Sequence, residues 1–429
     1  MIDRRKFFGI TAGAGATLAL TPELLRALQA FQQPAGKLLQ KTIPSTGEML
    51  PAVGLSFSNH VSCSDPAALK EVLKAFADNG GRVFDAMHGN TNAEQFHITS
   101  ANEVGVQNKL FWSLRGFAPG PGMTPPNPAA AKAQIESLLA KLKVSKLDLV
   151  MVNPMMDPSH LGVLKDEKKA GRIRYIGVQH IADPGYASLE AAMRNEPIDF
   201  IGVDYDVSNR AIVEDTLLPL AQEKKIAVIA FFPFGNNGGV SCGSGRNLFA
   251  RVGNTPLPEW AAEFDARSWA QFFLKYVISH PAVTVARVGT TKPAHMLDNM
   301  AGGIGRLPNE ATRKRMAAFI DALPALPPLA PNPAAAPGIT LSVALLDRYV
   351  GEYKTAAGTT ITFRRDGATL FVKPGTNPEV PLNARSETRL QDPRGPFFDF
   401  QVDAQGKVTG AILEQQGPQG PQRIPLQRN

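Results

Sequence analysis

Four side chains of complementary chemistry, Asp85, His88, Arg115 and Asn153, stand at the ends of short apolar runs, in VFDAMH, FWSLR and DLVMVN. A carboxylate, an imidazole, a guanidinium and an amide gathered in one place can act on a carbonyl. Arg115 is permanently charged and can neutralise an oxyanion, but it cannot tune a neighbour by changing its own protonation. Asn153 can donate a hydrogen bond to a carbonyl oxygen, and His88 can pass a proton near neutral pH. The plainer alternative is an Asp85–Arg115 pair that plugs the site, with His88 a loop residue. A second stretch, VGTTKPAHMLDN, suits a different task. It passes from apolar residues through Gly289, Thr290, Thr291, Lys292 and Pro293 into a helix start, where free backbone N–H groups and the Lys292 ammonium can hold an anion. A third grouping, His60, His88 and His180 with Asp204 or Asp157, offers ligands for a divalent metal. It lacks any tight His-x-His spacing, and no metal is assigned.

These residues need a scaffold that brings distant segments to one mouth. Val53–Phe57, Val83–Ala86, Leu110–Leu114, Leu147–Val152, Arg174–Gln179, Phe200–Tyr205, Ala227–Phe232 and Val283–Val288 are apolar runs of strand length. Amphipathic segments lie between them, among them Pro66–Asn79, Ala129–Leu142, Gly185–Arg194 and Glu214–Lys224. Strand–helix units with nearly continuous apolar strands predict a parallel sheet buried on both faces. Eight such strands close a (β/α)8 barrel, whose chemistry belongs to the C-terminal ends of the strands. An α/β barrel also accounts for most of a 429-residue chain that is too long for one ordinary domain.

The flanks read differently. MIDRRKFFGITAGAGATLAL sets Arg4 and Arg5 before a weakly apolar, Gly-rich run that is too short to span a membrane comfortably. It looks like a twin-arginine export signal, filling residues 1–35 with its spacer. That implies a folded protein delivered to the periplasm or another extracytoplasmic space, with no stable membrane insertion. The net charge of +7 is modest, and no basic face interleaved with aromatics points to nucleic acid. Cys63 and Cys242 are the two cysteines. They fall in loops after the first and seventh strands and either pair as a clip over the barrel mouth or remain free thiols. Residues 323–340 form a Pro/Ala-rich linker. From 341 to 429, hairpin signals such as RRDGATL and DAQGKVTG predict a small antiparallel β-domain, similar to lipocalin-like modules.

Over residues 41–322 the chain resembles the aldo-keto reductases. The resemblance is carried by STGEMLPAVGL, GRIRYIGV, DFIGVDYDVSNR, SWAQFFLKYVISHPAVT and the turn after Val288. It implies a small carbonyl or alcohol substrate and bound NADP(H). Thr290, Thr291 and Lys292, in the turn opened by Gly289, would hold the 2′-phosphate, and Asn299 would reach the adenine. Gln179 would bond the carboxamide, and Phe231 would stack on the nicotinamide. The family works with an Asp, a Tyr, a Lys and a His. Here Asp85 matches the Asp, Arg115 falls at the Lys and Asn153 at the His, while the Tyr is missing and His88 stands nearby. The Gln of strand six is Gly202. The implied activity is therefore an exported oxidoreductase with a non-standard site. A metal-dependent lyase, isomerase or hydrolase, or a non-catalytic binding protein using the β-domain, are the rival classes.

Overall fold

Apolar runs buried on both faces satisfy their backbones by pairing with one another, and a ring of them leaves no edge. The computed structural model describes residues 36–57, 64–87, 91–115, 128–154, 159–181, 185–235, 247–324, 339–355, 358–375, 379–392, 396–403, 405–417 and 420–428. In it, β3 (Val53–Ser56), β4 (Val83–Met87), β5 (Phe111–Arg115), β6 (Leu147–Val152), β7 (Ile173–His180), β8 (Phe200–Asp204), β9 (Ala227–Phe231) and β10 (Val283–Val288) form a closed barrel. Every pairing is parallel, and β10 closes the ring on β3. All eight expected strands are present, with ends moved by a residue or two.

The period of two along each strand separates two layers. Val83, Phe111, Leu149, Met151, Tyr175, Phe200, Ile229, Phe231 and Val285 fill the barrel interior, whereas Phe84, Trp112, Leu114, Val150, Val178, Val203 and Ala286 pack with the surrounding helices. A hairpin, β1 (Gln40–Thr42) with β2 (Met49–Pro51), adds Ile43 and Leu50 to the interior cluster. The Tyr175 hydroxyl, which donates to Glu48 Oε2 at 2.7 Å, ties that hairpin to β7. Gly177 lets β7 and β8 approach closely, since a Cβ there would lie 2.5 Å from the Phe200 carbonyl oxygen.

Helices at Pro66–Asp78, Pro128–Leu142 and Gly185–Asn195 match expectation. The segment expected as one helix from Glu214 to Lys224 is instead a π-turn at Val213–Leu217 leading into an α-helix at Leu218–Lys224. Pro219 has no N–H to give the Asp215 carbonyl, and the Leu218 N–H reaches back five residues to Val213.

The C-terminal part is antiparallel, as expected, but opens with a helix at Val343–Tyr349 that the hairpin pattern did not announce. Ser342 caps it, and Leu346 and Tyr349 turn into the sheet's core. Its nine strands run from β11 (Gly351–Thr355) to β19 (Gly420–Arg428). The short strands β14 (Val380–Pro381) and β15 (Asn383–Ala384) are its two edges yet are separated by Leu382 alone, so one kinked segment bridges both ends of the sheet. Tyr349 stacks on Phe400 at 4.1 Å, and Tyr353, Phe363 and Phe398 complete an aromatic core. Among the described residues, no helix is long and apolar enough to cross a membrane.

His97, on the helix Thr91–Glu103, is fully buried against Phe57, Phe84 and Phe96, and neither ring nitrogen has a hydrogen-bond partner. Burial pushes its pKa down to about 4, with Asp85 and Glu94 opposing and Arg115 reinforcing the shift. The folded state therefore keeps His97 neutral while the unfolded chain takes up the proton first. Stability should fall as the pH drops from about 6.5 towards 4, by about 3 kcal/mol from this residue. Urea unfolding across that range should show a smaller acid loss for His97→Leu than for the natural chain.

Candidate active site

The C-terminal mouth of the barrel is built on the inward register of the strands. Asp85 lies one pleat beyond Val83 on β4, Ser113 and Arg115 follow Phe111 on β5, and Arg287 follows Val285 on β10. Asp85 is completely buried. Its Oδ1 accepts from the Ser113 hydroxyl at 3.0 Å, and its Oδ2 accepts from Arg287 Nη1 at 2.8 Å. Arg115 Nε lies 3.1 Å from the same Oδ2. Burial alone would raise the Asp85 pKa, but the two guanidiniums and the Ser113 hydrogen bond outweigh it and hold the carboxyl below the usual range. Asp85 is thus a fixed anion and has no proton to exchange at neutral pH. Arg287 is lowered to about 10 by burial, with Asp85 opposing and Arg115 adding to the shift, and stays charged.

Both arginines lean on Phe231, at 4.2 Å from its ring centroid for Arg287 and 5.6 Å for Arg115. The tip of that ring fills the space beside Gly202, where an added Cβ would lie 2.4 Å from it. Phe231 itself is fully buried. The next residue, Phe232, holds φ at +51°, a left-handed conformation that costs a bulky residue about 1–3 kcal/mol. Strain of that kind is concentrated at functional mouths, and here it borders the Arg287 guanidinium at 5.2 Å.

The pairing that the sequence offered as the plainer alternative, Asp85 with Arg115, is therefore present, with a third member that sequence reasoning missed. Arg287 is the one charged residue in VTVARV, and its alternation with Val285 puts it inside. That alternation was the available signal. Asn153 follows β6 on the inward register two residues beyond Met151, which pairs with Arg115. Gln179 lies half-buried on β7 beside Gly202. The His180 ring packs on Gly185, and Asp204 accepts hydrogen bonds from Tyr186 and from Asn209 Nδ2 at 2.8 Å. His60, His88, Asp157, Cys63, Cys242 and the N-terminal signal lie outside the described residues. Among the described residues, no group of three or more His, Cys, Asp or Glu side chains is placed to hold a metal.

Two residues beyond Arg287, the turn follows on the same chain. Gly289 and Lys292 are exposed, Thr291 is half-buried, and Thr290 is buried with its hydroxyl accepting from the Lys292 N–H at 3.2 Å. Lys292 is the N-cap of the helix Pro293–Gly302, and no side chain caps it, so its first-turn N–H groups remain open to an anion. His295, in that first turn, was not anticipated; partial burial first and then the Lys292 charge lower its pKa. Asn299 is buried on the same helix.

Replacing Asp85 by Asn would leave two buried guanidiniums without their shared anion. Unfolding in urea should show a loss of about 3–5 kcal/mol. Adding Arg287→Met to that variant should restore part of the loss, because it removes one of the stranded charges.

The model of the aldo/keto reductase family matches residues 54–313. The "uncharacterized oxidoreductase YcsN" of Bacillus subtilis (strain 168) is 28% identical over 166 residues, covering 37% of this chain and 53% of that protein. The chain thus spans about half the length of this curated relative. The holo form of an aldo-keto reductase from Bacillus halodurans superposes with a TM-score of 0.51 at 17% identity, covering 66% of this chain and 96% of that one, which supports the fold. A barrel closed by β10 on β3, a buried Asp at the end of β4 and a family match over more than half of the sequence lead to one conclusion: the chain belongs to the aldo/keto reductase family.

Proposed function

We propose that the protein is an exported NADP(H)-binding oxidoreductase acting on a small carbonyl or alcohol substrate through a non-standard site. The observation that carries this reading is the Asp85–Arg115–Arg287 cluster at the barrel mouth, joined through β10 to a turn that opens two residues after Arg287 and leads into an uncapped helix start. The phosphate end fits the cofactor. Gly289, Thr290, Thr291 and Lys292 present an exposed ammonium and uncapped N–H groups, as a 2′-phosphate requires, and Asn299 stands about two helix turns further on. When bound, the nicotinamide would supply hydride chemistry.

The chain's own residues supply electrostatics. Arg115 and Arg287 hold positive charge where an anionic part of the substrate would sit, and Asp85, which accepts from Ser113 and Arg287 and lies 3.1 Å from Arg115 Nε, fixes their positions. Asn153 donates a hydrogen bond to the carbonyl, Gln179 orients the carboxamide, and His88 moves the proton. The proton therefore travels by a route that does not involve Asp85. Extracytoplasmic delivery through the Arg4–Arg5 signal requires folding first, so a tightly held cofactor would travel with the protein.

A second reading, a barrel that binds ligand without hydride transfer, draws on Phe231. Its ring is fully buried, and Arg287 lies over it, where a stacking aromatic would present a face.

Fluorescence titration separates the two from a barrel without cofactor. Protein stripped of nucleotide should quench on addition of NADPH, and Lys292→Ala should weaken NADPH about 10-fold while changing NADH little. No quenching by either nucleotide removes the cofactor. Quenching without turnover of any carbonyl favours the binding protein. Export has its own check: with Arg4→Lys and Arg5→Lys together, cell fractionation should find the protein retained in the cytoplasm.

A further inference from the structure

Arg287 is more strongly committed to the mouth than a structural ion pair requires. It is 6% exposed, and one of its N–H groups meets Asp85, yet its Nε is buried with no hydrogen-bond acceptor. An orphaned charged donor inside a fold is costly, and native structures keep few of them. Asp85 takes the Ser113 hydroxyl at Oδ1 and Arg287 Nη1 at Oδ2, and the Arg287 Nε makes no hydrogen bond to either oxygen. Two guanidiniums held against one carboxylate, over an aromatic ring, form a fixed cationic site whose planar forks match a carboxylate.

We propose that this surface receives a carboxylate of the substrate, so that the substrate class is the 2-oxo acids and their 2-hydroxy counterparts, with Arg287 as the residue that selects them. The substrate class rests on the oxidoreductase reading above, whereas the carboxylate site rests on Arg287 alone. A carboxylate suits it better than a phosphate because one side of the site is the apolar Phe231 ring, which offers no donors to a third and fourth oxygen. The carbonyl next to that carboxylate would lie towards Asn153, on the strand adjoining Arg115.

Calorimetric titration of the full-length protein at low salt tests this, with 2-oxobutanoate as probe, its methyl ester as the uncharged control and inorganic phosphate as the competing anion. The acid should bind at least 10-fold more tightly than the ester, which loses the charge-assisted bidentate contact, and than phosphate, whose further oxygens meet the apolar Phe231 wall. Arg287→Met should bring acid and ester to within about two-fold of each other. Equal binding of acid and ester by the natural chain overturns the proposal, as does tighter binding of phosphate or undiminished acid preference in Arg287→Met. If that variant does not fold by circular dichroism, the acid-to-ester ratio of the natural chain decides alone. NADPH titration of the same samples keeps the two readings distinct. Acid binding without nucleotide binding would sink the oxidoreductase and leave the carboxylate site standing, and nucleotide binding without acid preference would do the reverse.

Discussion

One buried carboxylate organises the mouth of this barrel. Asp85 could not remain ionised in a dry interior without compensation, and the structure compensates it twice over, with Arg115 from the next strand and Arg287 from the strand that closes the ring. The three residues therefore belong to β4, β5 and β10, and the distance between them is set by strand pairing more than by side-chain freedom. A carboxylate held in this way is a fixed charge. Its role is to position two guanidiniums whose own charge does not change near neutral pH.

The packing around that centre follows from the same demand. Two arginines need a wall that tolerates cations without supplying more anions, and the Phe231 ring provides one. The ring fits because Gly202 leaves room for its tip, so Gly202 and Arg287 are parts of one arrangement. Phe232 then takes a left-handed backbone at the rim. The consequence is a site in which electrostatic stabilisation is built into the scaffold, and proton transfer has to come from elsewhere.

The turn Gly289–Lys292 obeys a different constraint. It is followed by a helix beginning at Pro293 that no side chain caps, separated by four residues from the strand carrying Arg287. The open helix start and the charged mouth are thus parts of one short segment, Val283–Gly302. The C-terminal sheet is built around its own aromatic core, with Tyr349, Tyr353, Phe363, Phe398 and Phe400 at its centre.

The sequence by itself determined the barrel, because eight apolar runs separated by amphipathic segments have few other ways to bury both faces. It determined the strand-to-helix turn at Gly289–Pro293 too, since Gly-Thr-Thr-Lys-Pro is a local motif whose geometry is made by neighbouring residues. It showed that Asp85 and Arg115 end adjacent strands and left their pairing as one alternative among others. The partnership of Arg287 with Asp85 was decided by tertiary structure alone. Arg287 lies 202 positions from Asp85, and only ring closure of β10 on β3 brings the two together. The same holds for Phe231 and Gly202, whose contact depends on β8 and β9 lying side by side. The π-turn before Pro219 and the helix at Val343–Tyr349 were local features masked by stronger periodic signals around them. Spacing along the chain reveals what neighbours in sequence do to one another, whereas a shared charge across a barrel is a property of the closed ring.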